Sequence, residues 1–240
     1  MRIVRQGPAD LTLFTPTRDR PLAFSFCERW MARQTYSGTV LWIVVDDGDV
    51  QIRPTMGQLH IRRQPSPRRS TLPENVLAAI PFATGLGVVV AEDDDWYHSD
   101  YVAEMAKRLP GVDIVGIANA LYYHVPTRRY QRNDNQDHAS FCSTAVGIPT
   151  GLDHMANAAG RLMGTDNPLV DMDLWSKKRK MRRYMFNGNR LVVGLKGWPG
   201  RKNLCPSSVL GPSHPHDRDG YILRRWIGPE DAAEVLAAFA

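Results

Sequence analysis

Four consecutive acids, Glu92, Asp93, Asp94 and Asp95, follow directly on the apolar run Val88, Val89, Val90, Ala91. Like charges in a row repel one another, so the cluster costs stability unless something neutralises it. Hard divalent cations take carboxylate oxygens, and Mg²⁺ or Mn²⁺ often keeps open positions for substrate phosphates. A buried strand ending in acids therefore points to a metal–phosphate site at the carboxyl end of a parallel sheet, where open α/β folds bind ligands. The plain alternative is a solvated acidic turn. A second apolar run, residues 40–45, ends in Asp46, Asp47 and Gly48. Acids at two strand ends on one sheet edge can share a ligand: one pair accepts hydrogen bonds from a nucleoside, and the other holds the metal on its diphosphate. Asp-Gly alone is common in turns, so the weight lies in the pairing.

The elements that must position these acids follow from periodicity. Residues 11–14 read as a first strand and 15–20 as a loop. Asp19 is placed to cap a helix with Pro21 in its first turn. In that helix Leu22, Phe26, Trp30 and Arg33 recur on one face, with Ala23, Cys27 and Met31 beside them. Residues 58–62 are a short strand, 63–73 a loop rich in Pro, Ser and Arg, and 74–84 a helix. Residues 87–91 are a buried strand, and 100–109 a helix that stops at Pro110-Gly111. This alternation argues for a parallel sheet with right-handed crossovers. Further on, 112–118 is a strand, and 120–131 and 139–147 are antiparallel strands around the polar loop 133–137. Helices over 152–163 and 170–184, a strand over 190–195, a long Gly/Pro-rich loop over 197–220 and a closing helix over 230–239 complete the chain.

The 240 residues, 43% of them hydrophobic, suffice for one large domain or two small ones with a sizeable core. No apolar run approaches the roughly 18 residues that span a membrane. Residues 1–10 hold no signal-like stretch, so a soluble, cytoplasmic protein is expected. Cys27, Cys142 and Cys205 form neither a disulfide framework nor a zinc pattern. The net charge of +5 is mild, but basic residues crowd Arg62-Arg63, Arg68-Arg69, Arg128-Arg129 and the run Lys177, Lys178, Arg179, Lys180, Arg182, Arg183. Such a run is either a solvated helix face, a set of arms for the enzyme's own phosphates, or a contact for a polyanion such as DNA.

The chain resembles the GT-A glycosyltransferases, in particular the large inverting family that includes cellulose and chitin synthases. The matching residues are the first strand with Thr15-Pro16-Thr17-Arg18-Asp19-Arg20, the segment Trp42-Ile43-Val44-Val45-Asp46-Asp47-Gly48, and Glu92-Asp93-Asp94-Asp95-Trp96-Tyr97-His98-Ser99-Asp100-Tyr101. The last is similar to the family's Asp-x-Asp-Asp stretch and the aromatic residues and Pro-Asp-Tyr after it, with Glu92 for the first Asp and Ser99 for Pro. The match covers roughly residues 10–105 and thins beyond. It implies a single GT-A, Rossmann-like α/β domain with a mainly parallel central sheet flanked by helices and a small antiparallel portion in the second half. Residues 1–110 would be the nucleotide-sugar-binding half and 111–240 the acceptor-binding half.

The resemblance also implies roles. Thr15, Pro16, Thr17, Arg18, Arg20 and Asp46, with Asp47 and Asp93, would contact the nucleotide, often a uridine. Asp94 would coordinate Mn²⁺ or Mg²⁺, assisted by Glu92 or Asp95. Asn75 is similar to the family's Arg-Asn near the sugar or diphosphate, with Glu74 in place of the Arg. Val170-Asp171-Met172-Asp173-Leu174-Trp175 resembles the family's acidic motif before a Leu-Trp helix. It would make Asp171 the general base that takes the acceptor's proton, with Asp173 as the fallback; the plain alternative is a helix cap. In the late loop His214 or His216 would reach the metal, unless they are solvated, and Gly197 and Arg201 would approach the diphosphate. Trp96, Tyr97, Tyr122, Tyr123, Trp175 and Trp198 are candidate stacking surfaces, most of them expected in the core.

The expected activity is metal-dependent, inverting transfer of a sugar from a nucleotide-diphosphate sugar to a hydroxyl. The basic run after the base suggests a hydroxymethylated pyrimidine in DNA, as in phage-type DNA-modifying transferases. The alternative acceptor is a saccharide or lipid-linked saccharide. A nucleotidyltransferase would need a glycine-rich loop after the first strand, where Thr15-Pro16-Thr17-Arg18 stands. A non-catalytic DNA-binding module is the remaining alternative.

Overall fold

The computed structural model describes residues 1–188, 190–200 and 210–239. The chain begins with β1 (Arg2–Val4), β2 (Leu11–Thr17), α1 (Pro21–Ala32), β3 (Thr39–Asp46), β4 (Leu59–Arg62), α2 (Leu72–Ala79), β5 (Gly87–Val90), β6 (Trp96–Tyr97) and α3 (Tyr101–Arg108). It continues with β7 (Ile114–Ile117), β8 (Asn119–His124), β9 (Arg129–Asp134), β10 (Thr144–Gly147), α4 (Thr150–Leu162) and α5 (Val170–Leu174). The last elements are β11 (Arg183–Phe186), β12 (Val192–Lys196), α6 (Tyr221–Ile227) and α7 (Pro229–Ala237).

Eight strands form a large sheet in the order β1-β3-β2-β5-β10-β7-β11, with β4 pairing on β3 further along the flank that β1 occupies. β1 to β5 run parallel, β10 is antiparallel to β5 and β7, and β11 is parallel to β7. Both faces are covered, so the central strands read as continuous apolar runs. Leu11, Leu13, Val40, Trp42 and Val44 pack on one face against α1 and α3. Phe14, Leu41, Ile43, Val45 and Val90 pack on the other against α2, α4 and α5.

A second sheet of four strands stands apart, in the order β6-β12-β8-β9. This finding overturns the expectation of a single GT-A, Rossmann-like domain built on one central sheet with a small antiparallel portion. The physical cause is a third core. Leu121, Tyr123, Val193 and Leu195 of the small sheet pack with Leu223 and Trp226 of α6, Ala232 and Val235 of α7, and Ala23, Phe26 and Trp30 of α1. Helix α1 is thus apolar on two sides, with Phe24, Cys27 and Met31 in the first core and Phe26 and Trp30 in the third. Arg33, expected on the Phe26 face, instead lies exposed and donates to Asp231 at 2.7 Å.

Local expectations change as well. The strand expected to end at Phe14 continues to Thr17, because it pairs with β3 as far as Thr17↔Asp46. Asp19 does not cap α1: Arg20 stands at the cap position without a side-chain bond, and Asp19 accepts from the Val50 N–H at 2.8 Å. The turn expected at residues 133–137 falls after His124, where β8 turns back into β9, and β10 joins the large sheet instead. The helix expected over 170–184 ends at Leu174. Beyond it the Arg179 and Arg183 side chains bond the carbonyls of Asp173, Trp175 and Ser176, and residues 183–186 pair with β7 as a strand. Among the described residues no helix is long and apolar enough to cross a membrane.

Candidate functional site

The parallel strands β3, β2 and β5 are neighbours in that order, so their carboxyl ends share one edge with β2 in the middle. Asp46 and Asp47 end one flanking strand, and Glu92 to Asp95 follow the other. The loop after β2 sends one arginine to each side. Arg20 reaches Asp93 Oδ1 at 2.5 Å and Asp94 Oδ2 at 3.2 Å. Arg18 lies 4.0 Å from Asp47 Oδ2 and donates to Thr71 Oγ1 at 3.2 Å and to the carbonyls of Arg68, at 3.1 Å, and Ser66. Thr17 donates to Asp93 Oδ2 at 2.6 Å. Thr15 and Pro16 are buried strand residues, and the Thr15 hydroxyl accepts from the Trp42 indole at 3.0 Å.

The Asp46 carboxylate is fully buried. It accepts from the backbone N–H of Gly48 at 3.0 Å and of Ile52 at 3.3 Å, with Arg62 at 3.3 Å and His60 at 3.7 Å. Asp47 accepts from the Asn75 side-chain amide at 3.0 Å, and Arg63 in turn donates to Asn75 Oδ1 at 2.5 Å and lies 3.7 Å from Asp47. A Cβ on Gly48 would fall 2.4 Å from the Asp19 backbone N, and one on Gly200, at φ 107°, only 2.0 Å from the Asp19 carbonyl. These two glycines let three chain segments meet over Asp19. Gly48→Ala is therefore expected to lower stability by about 1–3 kcal/mol through overpacking, read as a fall in the thermal unfolding midpoint; an unchanged midpoint would show that the contact gives way.

The acid run is buried: Asp93, Asp94 and Asp95 are at most 2% exposed. Burial pushes the Asp93 carboxyl up to about 7, against the pull of Arg20 and the Thr17 hydroxyl. Burial also raises Asp95, and raises Glu92 well above the usual carboxylate range, with the neighbouring acids adding to it for both. Lys196, the last residue of β12, comes from the other sheet to neutralise them. Its Nζ lies 2.8 Å from Asp95 Oδ1 and 3.4 Å from Asp94 Oδ2. The Trp198 indole donates to the Asp94 carbonyl at 2.8 Å.

With all four carboxyls ionised, Arg20 and Lys196 would leave two negative charges over, which a divalent ion would neutralise; without one, burial keeps part of the cluster protonated. Asp95 Oδ2 is buried without a hydrogen-bond partner. Glu92, Asp95 and Cys142 bring one ligand atom each within 4.8 Å of one another, a group able to hold a metal ion. Carboxylate oxygens suit Mg²⁺ or Mn²⁺, and a thiolate adds a softer donor. Asp94 stands outside that group, with its carboxylate on Arg20 and Lys196. His214 and His216 are also outside it: the Arg129 side chain, at the start of β9, donates to the His214 carbonyl at 2.6 Å, and His216 bridges Arg129. Gly197 follows Lys196 at φ 92°. Arg201 lies outside the described residues.

Asp171 sits in the first turn of α5. Burial raises its carboxyl above the usual range, while His138 and nearby backbone N–H groups, including that of Phe141, hold it down. Cys142, the next residue, borders Glu92 and Asp95, so one short segment, 141–142, joins the neighbourhood of Asp171 to the acid run. Asp173 is committed elsewhere, paired with Arg179 and lying 3.6 Å from Arg161. Part of the basic run is engaged: Lys177 makes an exposed pair with Asp137 at 3.1 Å, Arg182 pairs with Asp113 at 2.9 Å, and Arg183 bonds backbone carbonyls, while Lys178 and Lys180 are exposed. Trp96, Tyr97, Tyr122, Tyr123, Trp175 and Trp198 are all buried. Sequence reasoning missed Lys196, Cys142, Arg63 and His60.

No family model matches the chain, and no curated protein matches it. Solved structures do. Crystal structures of S. aureus TarS 1–349 are similar over 81% of this chain in the complex with UDP and 82% in the complex with UDP-GlcNAc. The TM-scores are 0.53 and 0.52, at 12% identity in both cases. A longer TarS structure is similar over 81% of this chain, with a TM-score of 0.53. The likeness establishes a shared fold. The chain spans 60% of the TarS 1–349 chain in the UDP complex and 37% of the longer one.

Proposed function

We propose that the protein is a glycosyltransferase that moves a sugar from a nucleotide-diphosphate sugar, of the UDP type, to a saccharide hydroxyl. The observation that carries this reading is the meeting of both acid clusters, with Arg18, Arg20 and Lys196, at the shared carboxyl edge of β3, β2 and β5. The fold shared with TarS, which was solved with UDP and with UDP-GlcNAc, supports it. Asp46 and Asp47 serve the nucleoside side, and Arg18, Asn75 and Arg63 fix the Asp47 carboxylate. Glu92 and Asp95, with Cys142 beside them, would hold Mn²⁺ or Mg²⁺, joined by Asp94 once its cation partners give way; the ion when bound supplies positive charge against the departing diphosphate.

Asp171 is the general base. Its raised pKa suits a carboxylate that must take a proton from a hydroxyl, and Asp173 is spent on Arg179. Attack from the face opposite the diphosphate gives inversion. A saccharide acceptor is favoured over a DNA base because Arg179 is buried against Asp173 and Arg183 is turned onto backbone carbonyls, so the run presents fewer free cations than its sequence suggested.

UDP is expected to bind at least tenfold more tightly with Mn²⁺ than with EDTA, as measured by calorimetry. Equal affinity would remove the metal from the reading, and no binding under either condition would remove the nucleotide. Mass shifts of candidate acceptors incubated with nucleotide sugars are expected on oligosaccharides; a shift on hydroxymethylated DNA alone would reverse the acceptor assignment.

A further inference from the structure

Lys196 is the point at which the small sheet enters the acid cluster. Its side chain is buried and crosses from the end of β12 to two carboxylates that follow β5. Asp94 Oδ2 lies between two cations, with Arg20 at 3.2 Å on one side and Lys196 at 3.4 Å on the other. The two cations are anchored differently. Arg20 also grips Asp93, whose other oxygen takes the Thr17 hydroxyl. The contacts of the Lys196 ammonium are to Asp94 and Asp95. It is carried on a flexible four-carbon stem and is followed by Gly197, with Gly200 at φ 107° closing the short segment. A metal ion and an ammonium cannot both sit within bonding distance of the same carboxylates without strong repulsion.

We infer that Lys196 is a resident counter-ion that competes with the divalent cation for Asp94 and Asp95, and that the diphosphate of the nucleotide draws it away. The inference rests on the proposed nucleotide and metal site and adds a rule for its loading. Without nucleotide, Lys196 holds the carboxylates and metal binds weakly. When the diphosphate arrives, its negative charge takes the ammonium, and Asp94 and Asp95 are released to the metal. Metal and nucleotide then favour each other's binding, and by linkage the coupling is reciprocal. Lys196 is a positioning residue in this scheme: it sets when the metal enters.

The test measures Mn²⁺ affinity of the nucleotide-free protein by calorimetry, with folding checked by thermal unfolding. Lys196→Gln removes the competing charge and is expected to bind Mn²⁺ at least tenfold more tightly than wild type, while losing UDP affinity in EDTA. Lys196→Arg puts a two-pronged cation on the same carboxylates and is expected to bind Mn²⁺ several-fold more weakly. A residue with only a structural role would not move affinity in opposite directions. A folded Lys196→Gln protein that binds Mn²⁺ no better than wild type overturns the inference. So does Lys196→Arg matching or exceeding wild type, which keeps the test decisive if the Gln variant does not fold. If wild type binds Mn²⁺ and UDP together yet the variants show no shift, the inference fails alone. If neither ligand binds wild type, the site reading fails and the inference with it.

Discussion

Asp171→Asn is expected to keep nucleotide binding and lose transfer by roughly 10²–10⁴-fold, the range in which a positioned general base contributes. Asparagine preserves the size and polarity of the side chain, so α5 should keep its place: Trp175 holds this turn through its indole bond to Thr144 Oγ1 at 3.0 Å and its contact with Gly116. Only the ability to accept a proton is removed. Burial raises the Asp171 carboxyl above the ordinary range. A base must be deprotonated to act, so the wild-type rate should fall as pH drops through that raised value. The Asn variant should lack this acid limb. Turnover and UDP affinity, measured side by side across pH, check both parts. Transfer in Asp171→Asn close to wild type would move the base elsewhere; a parallel loss of UDP affinity would make Asp171 a structural residue.

What could be read from the chain alone is the part of the site written in local sequence. Val88 to Ala91 leading into four acids, and residues 40–45 leading into Asp46 and Asp47, announce strands with charged carboxyl ends, and parallel pairing then puts the ends together. Arg18 and Arg20 lie close enough in sequence to the first strand to be included. Lys196 and Cys142 could not be found this way, because each matters through residues far away in the chain. Lys196 reaches Asp95 across 101 positions. Its one local sign is a lysine ending the apolar run Val192, Val193, Leu195, the mirror image of the acid-ended strands.

The second sheet was hidden for a related reason. Strand β8 buries three consecutive residues and β9 is polar but for Tyr130, so neither carries a pattern that says which sheet it joins; that was decided by α6 and α7, whose apolar faces supply a separate core. The false helix over 175–184 arose from extending a short helical start through Lys177, Lys178, Arg179 and Lys180. Residues 177–180 hold no apolar residue to continue a buried face, the Arg179 side chain turns back onto the Asp173 carbonyl, and Arg183 bonds the carbonyls of Ser176 and Arg179.

Arg20→Met is expected to lower stability by about 3–5 kcal/mol, the cost of leaving buried carboxylates without their cation. The Arg20 side chain is nearly buried and spans Asp93 and Asp94, so its loss strands two acids at once. The pH dependence gives the sharper signature. Asp93 titrates at about 7 in the folded protein, and Glu92 and Asp95 are also raised, all first through burial. An acid whose folded pKa lies above its unfolded value makes the native state bind more protons between the two. Stability then falls as pH rises through that window. In EDTA the wild-type unfolding midpoint should therefore drop as pH rises from the ordinary Asp93 value of 3.8 to its raised value of about 7. Asp113, held low by Arg182, acts in a separate window, losing its contribution only as pH falls through its lowered value. In Arg20→Met the downward slope should steepen, because Asp93 loses the charge that holds its pKa down. Mn²⁺ added together with UDP should flatten the slope in both proteins by supplying a cation to the deprotonated acids. Midpoints recorded across pH, with and without metal and UDP, give all four curves. Parallel EDTA slopes for wild type and variant would mean that Arg20 does not govern the protonation of this cluster.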